Sequence, residues 1–205
     1  MNIMQVVQVR TRGRDGPDEA IANTMNESTA QSSPPKRHRP IVGTLGFILS
    51  PDRERVLMVH RTYREFDENL GKYNGVGGHL ERGEDVAACM VREIREETGL
   101  EVVSMSLRGT VCWSDFGPDK EEWLGFVFLV DGWRGEPFAD NEEGTLSWER
   151  IDRLGELPMW KGDRLFLPLV FDGDPRPFHA FMRYEGDEPA EWRFTRAVDA
   201  PAGLC

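Results

Sequence analysis

This 205-residue chain reads as a mixed α/β (α+β) fold, a single domain of several strands and two helices. Three observations predict it. Runs of β-branched and aromatic residues recur between turn-like clusters of Gly, Pro, Asp and Ser. Residues 85–98 hold an apolar stripe at the helical period. Strand-like and helix-like segments also follow one another with no internal repeat, which suits a sheet covered by helices. Hydrophobic residues are 39% and charged residues 30%, enough apolar surface for one core. No run reaches the ~18 apolar residues of a membrane span, so no membrane partner is expected. No basic n-region leads into an apolar stretch at the N-terminus, so no secretory leader is expected. Cys89, Cys112 and Cys205 have no metal or redox spacing and read as free thiols, which fits a cytoplasmic protein.

Residues 1–38 read as a disordered tail, because STAQSSPPKRHRP is rich in Ser, Pro and basic side chains and has no apolar period. Met1–Val9 is apolar enough for a short ordered piece. The domain is placed at 39–197 and a C-terminal tail at 198–205. IVGTLGFIL (41–49) and VLMVHR (56–61) read as a hairpin across SPDRER. YREFDENLGK (63–72) is a polar loop, and YNGVGGHL (73–80) is a short strand with a glycine-rich end. A helix follows from Asp85 to Thr98, stopped by Gly99, a residue suited to a left-handed helix exit. Strands at about 101–115 and 123–131 flank the loop GPDKEE, and LSWERID (146–152) is another strand. LPMWKGDRLFLPLVF (157–171) is helical at its centre. FHAFMRY (178–184) and AEWRFT (190–195) form a last hairpin around GDEP.

Net charge is −11, unevenly spread: residues 1–40 carry +2, leaving −13 on the rest. Binding to a nucleic-acid polymer depends on neutralising phosphates, so such a partner is not expected. A small polyphosphate remains compatible if cations screen the meeting charges.

The most informative segment is GHLERGEDVAACMVREIREETGL, Gly78–Leu100. It spaces Gly78, Glu84, Arg92-Glu93-Ile94, Glu96-Glu97 and Gly99-Leu100. On a helical wheel Val86, Ala87, Met90, Val91, Ile94 and Thr98 fall on one face, the expected core stripe. Glu93, Glu96 and Glu97 form one acidic arc beside it, with Glu97 at the boundary. A partly buried carboxylate needs a cation or a donor, or it takes up a proton. Such an arc suits Mg²⁺, which prefers hard oxygen ligands. Arg92 lies across the arc and can pair with Glu96 or reach back to Glu84. A bare ExxEE on a helix is usually a solvated face, but a solvated face has no use for the glycines and Glu84.

The whole pattern resembles the Nudix box of the Nudix hydrolase (MutT-like) family. That resemblance implies an α/β/α sandwich with a mixed central sheet and hydrolysis of a nucleoside diphosphate linked to a second group. It implies Mg²⁺ as cofactor, with Mn²⁺ a possible substitute. Glu93, Glu96 and Glu97 would hold the metal with the Gly77 carbonyl. Glu93 is the chosen general base, oriented by Arg92, which Glu84 ties down. Family members differ in which glutamate takes the proton.

Outside the box, KYNGVGGHLERGE, SWERID, LPMWKGDRLFLPLVF and FHAFMRYEG resemble the oxidised purine nucleoside triphosphatases (8-oxo-dGTP diphosphatases) over roughly 41–186. Carried over, Asn74 would read the base, Trp160 would stack on it and Asp163 would bond its edge. Glu143, or else Glu142, would assist with metal. The expected partner is a nucleoside triphosphate. The other function within the family is a diphosphatase for ADP-ribose, a dinucleotide or a general NTP. Each base residue also has a plainer reading: Trp160 as a cap on the core, Asn74 in an Asx turn, Asp163 as a helix cap. Mammalian members have two adjacent acids after the Trp, where this chain has Gly162 and then Asp163. His60, His79, Trp113, Trp123, Trp133 and Trp148 are assigned no role. A regulator would carry a degraded box with a basic extension and an isoprenoid isomerase a catalytic Cys, and neither fits.

Overall fold

The computed structural model describes residues 4–8, 38–63 and 70–197. Among these, nine strands form one mixed sheet. In chain order they are β1 (Met4–Gln8), β2 (Ile41–Leu49), β3 (Arg55–Arg61), β4 (Tyr73–Asn74), β5 (Glu101–Phe116), β6 (Glu121–Arg134), β7 (Gly144–Arg150), β8 (Phe178–Glu185) and β9 (Glu188–Ala197). The helices are α1 (Val86–Thr98) and α2 (Asp163–Phe171), with a 3₁₀ turn over Ile151–Glu156. The strands lie in the order β1-β9-β8-β5-β6-β2-β3-β4, and β7 pairs with β3. β2 runs parallel to β6 and β5 parallel to β8, while the other pairings are antiparallel.

The two-residue period of the central strands divides the interior into two cores. Phe47, Val56, Met58 and Val127 face one way and pack with Phe166, Leu167 and Val170 of α2. Their neighbours Ile48, Leu57, Val59 and Phe128 face the other way and pack with Met90 and Ile94 of α1. The helices therefore cover opposite faces, the α/β/α arrangement expected from the sequence.

Local chemistry sets the ends of α1. The Asp85 carboxylate accepts from the Ala87 and Ala88 N–H groups, each at 2.9 Å. Gly99 turns out of the helix at φ 74° and returns its N–H to the Arg95 carbonyl. At the end of α2 the cap comes from distant strands. Buried Arg108 of β5 donates to the Val170 carbonyl (2.9 Å) and to Asp172 (3.1 Å). Arg196 of β9 donates to the Leu169 carbonyl (3.1 Å) and to Asp172 (2.8 Å). Two guanidinium groups thus meet the negative end of the helix dipole.

Three expectations change. Met4–Gln8, inside the expected tail, is an edge strand paired with Arg193–Ala197. Residues 1–3, 9–37, 64–69 and 198–205 of the expected tails and loop lie outside the described residues. The strand expected over 146–152 ends at Arg150, where the chain enters the 3₁₀ turn. The core stripe of α1 is also turned from its predicted centre. Ala87 and Val91 are exposed, and Cys89, which is not among the residues of the expected stripe, is fully buried. Cys89 packs under β2, its Sγ 3.4 Å from Thr44 Oγ1. Turning the helix this way carries the Glu93–Glu97 side toward the sheet.

Candidate active site

A cavity of about 660 Å³ opens beside the glycine-rich strand end. At one end it is lined by Glu93 and Glu97 of α1, by Glu143 ahead of β7, by Arg61 at the end of β3, and by Gly77. The backbone makes room for these groups. A side chain on Gly78 would come within 2.5 Å of the Glu93 carboxylate, and one on Gly77 within 2.1 Å of the Thr44 carbonyl. The glycines therefore let α1 approach β2 closely enough to put its acids in the cavity.

Glu97 is the most perturbed of these acids. Burial, then the charges of Glu143 and Glu93, push its carboxyl up to about 8, against the Gly77 amide and Arg61, which pull it down. Glu143 is fixed by its own turn: Asn141 Oδ1 accepts from the Glu143 and Gly144 N–H groups at 2.9 and 3.1 Å. Its carboxylate pairs with Arg61. Of the two glutamates left open by the sequence, Glu143 lines the cavity and Glu142 is exposed.

Arg92 is the hub of the box. It donates to both oxygens of Glu84 (3.2 and 2.8 Å), to Glu93 (2.8 Å), to Glu96 (3.1 Å) and to the His79 carbonyl (3.2 Å). This bond holds the Glu84 carboxyl down at about 2, helped by the Glu81 N–H. Glu84 thereby locks the loop before the helix onto the helix itself. Glu96 behaves differently from its neighbours: it is 60% exposed and lines a shallow outer groove with Arg95 and Met105. As placed, no three His, Cys, Asp or Glu side chains among the described residues converge tightly enough to hold an ion. Arg92 and Arg61 take up oxygens that an ion would use. The donor set nevertheless fits a hard divalent cation. Three carboxylates share a partly buried cavity, and one of them is driven toward its neutral form by burial and then by the charges of the other two.

The far end of the cavity is aromatic. It is lined by Asn74, Trp160 and Asp163, joined by Trp113 and Phe116, while Trp123 lies by the glycine-rich strand, its ring 4.9 Å from that of His79. Trp160 is buried, packed edgewise against Phe116 at 5.1 Å between centroids, with the Lys72 ammonium 4.1 Å above its ring. The Tyr73 N–H donates to the Pro158 carbonyl at 2.8 Å, tying the strand of Asn74 to the segment of Trp160. Asp163 is the first residue of α2. The N-cap is Gly162, which has no side chain to cap with, so Asp163 is not the cap that one reading allowed. Burial pushes the Asp163 carboxyl up to about 7, with Lys72 opposing.

This constellation brings the acids of one helix and an aromatic lining into one cleft, and the sequence match agrees with it. Residues 39–170 match the model of the NUDIX domain. The chain belongs to the Nudix family. As a Nudix hydrolase it acts on pyrophosphate bonds. It is 32% identical over 122 residues to the uncharacterised Nudix hydrolase YvcI of Bacillus subtilis, covering 58% of this chain and 73% of that protein. It is 29% identical over 145 residues to the oxidized purine nucleoside triphosphate hydrolase of Danio rerio, covering 71% of this chain and 87% of that one. The crystal structure of the mMutator MutT protein from Bacillus halodurans superposes with a TM-score of 0.65 at 28% identity, covering 75% of this chain and 97% of that one.

Within this Nudix fold, the structure brings Glu93, Glu97, Glu143, Gly77, Asn74, Trp160 and Asp163 together around the cavity. Arg92 and Glu84 lie behind them, and Glu96 faces outward. Sequence reading missed Arg61, Trp113, Trp123 and His79, all of which line the cavity. Arg61 carried a signal, a charge ending an apolar strand beside the box. Trp113 and Trp123 carried none, because their facing depends on the pairing of β5 with β6, where they lie directly opposite.

Proposed function

We propose that this Nudix hydrolase converts an oxidised purine nucleoside triphosphate, of the 8-oxo-dGTP type, to the monophosphate and pyrophosphate, clearing damaged nucleotides before they enter DNA. The observation that carries this reading is the single cavity with acids at one end and Asn74, Trp160 and Asp163 at the other. Its volume of about 660 Å³ suits one nucleotide. Similarity to the Danio rerio protein over 71% of the chain supports the same substrate class.

In this reading Trp160 and Trp113 offer aromatic faces to a purine, and stacking contributes roughly 1–3 kcal/mol per base. Asn74 offers both a donor and an acceptor, and Asp163 bonds the base edge. Glu93, Glu96, Glu97, Glu143 and the Gly77 carbonyl are the residues that would hold Mg²⁺. When bound, the cation would lower the cost of forming hydroxide from water and neutralise charge on the phosphates. Glu93 accepts a proton from the water that attacks phosphorus, as the bond to the departing pyrophosphate breaks. Arg92, fixed by Glu84, orients Glu93 for that transfer. Arg61 places a positive charge where the phosphates enter.

The test is to incubate purified protein with Mg²⁺ and either 8-oxo-dGTP or dGTP, identifying the products. Release of pyrophosphate with a preference for the oxidised base supports the reading. Release of orthophosphate, or equal rates on both, rules out the substrate claim. Chelation with EDTA should abolish turnover, and Mg²⁺ or Mn²⁺ should restore it.

A further inference from the structure

Tyr184 of β8 is 2% exposed, yet its hydroxyl has no hydrogen-bond partner. It is one of two such buried side-chain atoms among the described residues. An unpaired buried hydroxyl is costly, and native proteins rarely keep one without a use for it. Its location is specific. The ring packs edgewise against Phe116 (5.1 Å) and Trp160 (6.4 Å), two residues that line the cavity. The hydroxyl points at Gly162, where an added Cβ would lie 2.1 Å from it. Gly162 is bare because the Tyr184 hydroxyl fills the space a side chain there would need. The next residue is Asp163.

Electrostatics couple the two groups. Burial raises the Tyr184 hydroxyl well above its usual range, and the Asp163 carboxylate raises it further. The Gly162 N–H works against that rise but falls short of hydrogen-bond geometry. An N–H could in any case meet only the oxygen. The phenolic proton still lacks an acceptor, and a carboxylate one residue on is the natural one.

We propose that Tyr184 is a positioning residue for nucleobase recognition: with a base bound, its hydroxyl donates to Asp163 and fixes the carboxylate that meets the base edge. This deepens the oxidised-purine reading and rests on its placing of the base beside Asp163. A carboxylate held by a second donor presents a defined oxygen to the base N–H groups. The unpaired hydroxyl carries a local cost, which is offset when a base draws Asp163 into place.

Tyr184→Phe tests this, because it removes one oxygen and leaves the ring packing intact. The proposal expects stability and affinity to move in opposite directions. The melting temperature of the ligand-free protein should hold or rise by about 2–4 °C. The KM for 8-oxo-dGTP should rise about tenfold with kcat within twofold, and binding of pyrophosphate with Mg²⁺ should be unchanged. A lower melting temperature with unchanged KM would make the hydroxyl structural and overturn the proposal. So would unchanged KM and melting temperature, or an equal loss of pyrophosphate binding. If the wild type cleaves dGTP as well as 8-oxo-dGTP, the oxidised-base reading falls while the Tyr184 effect is still read on dGTP. A wild type that binds no purine nucleotide overturns both.

Discussion

The two ends of the cavity are built in opposite ways. The acidic end is mostly local: Gly77, Gly78, Glu84, Arg92, Glu93 and Glu97 lie within about one helix and its approach, Arg92 alone joins four of its groups, and the Arg61–Glu143 pair is brought in from other strands. The aromatic end is assembled from β4, β5, the segment before α2 and the start of α2, held together by sheet pairing and by Arg108 and Arg196 at the far end of the helix. A local cluster can be fixed by residue spacing. A dispersed one depends on the whole fold, so it can change its recognition without disturbing the acids.

That division predicts a separation of kinetic effects. Glu97→Gln should give the largest loss, lowering kcat by about 10²–10³-fold or more, since it removes a carboxylate that would hold the cation where the phosphates react. Glu96→Gln should lower kcat less, because Glu96 is 60% exposed and faces the outer groove. Equal losses in the two variants, measured in Mg²⁺-saturated steady-state assays, would show that Glu96 turns inward on loading. Both proteins should melt normally.

The second prediction concerns the support of the aromatic end. Arg108→Ala leaves Asp172 and the last carbonyls of α2 short of a donor in a buried setting. A loss of about 2–4 kcal/mol in unfolding free energy is expected, readable by urea titration. A loss below half a kcal/mol would mean that Arg196 caps the helix alone. Trp160→Ala comes third. It should raise KM roughly 10–100-fold with kcat nearly unchanged, the reverse of the Glu97 variant. An unchanged KM would return Trp160 to the core, where its burial already puts most of its surface.

The same division explains what was legible in the sequence. Helix α1, its Asp85 and Gly99 ends and its acids could be read because spacing along one helix converts directly into position. The rotation that buries Cys89 and exposes Val91 could not, because it comes from contact with β2 through Thr44. Asn74, Trp160 and Asp163 were found by resemblance, and all three line the same cavity. Trp113 and Trp123 were missed because nothing local distinguishes a strand residue facing a cavity from one facing a core, whereas Arg61 was legible as a charge ending an apolar strand and was passed over. The edge strand Met4–Gln8 was legible only as a short ordered piece within Met1–Val9, because a partly apolar pentapeptide becomes a strand only where β9 offers an open edge.

The smallest effect separates Asp163 from the acids at the other end. Its carboxyl is pushed up to about 7 in the folded protein by burial, so the folded state binds its proton more tightly than the unfolded chain does. A group shifted upward in this way favours folding fully at pH values below the unfolded pKa of about 4, and that contribution is lost as pH rises toward 7. Above that range the protein carries a buried charge opposed only in part by Lys72. Asp163→Asn removes the titration. The variant should match the wild type near pH 4 and be more stable by about 1–2 kcal/mol at pH 8, after allowing for the group's partial exposure. The measurement is a pair of melts at the two pH values with EDTA present, so that metal at the acidic end does not contribute. If the variant gains nothing at pH 8, Asp163 is already solvated or paired there. The aromatic end would then present an ordinary ionised acid, one that Tyr184 has no need to hold.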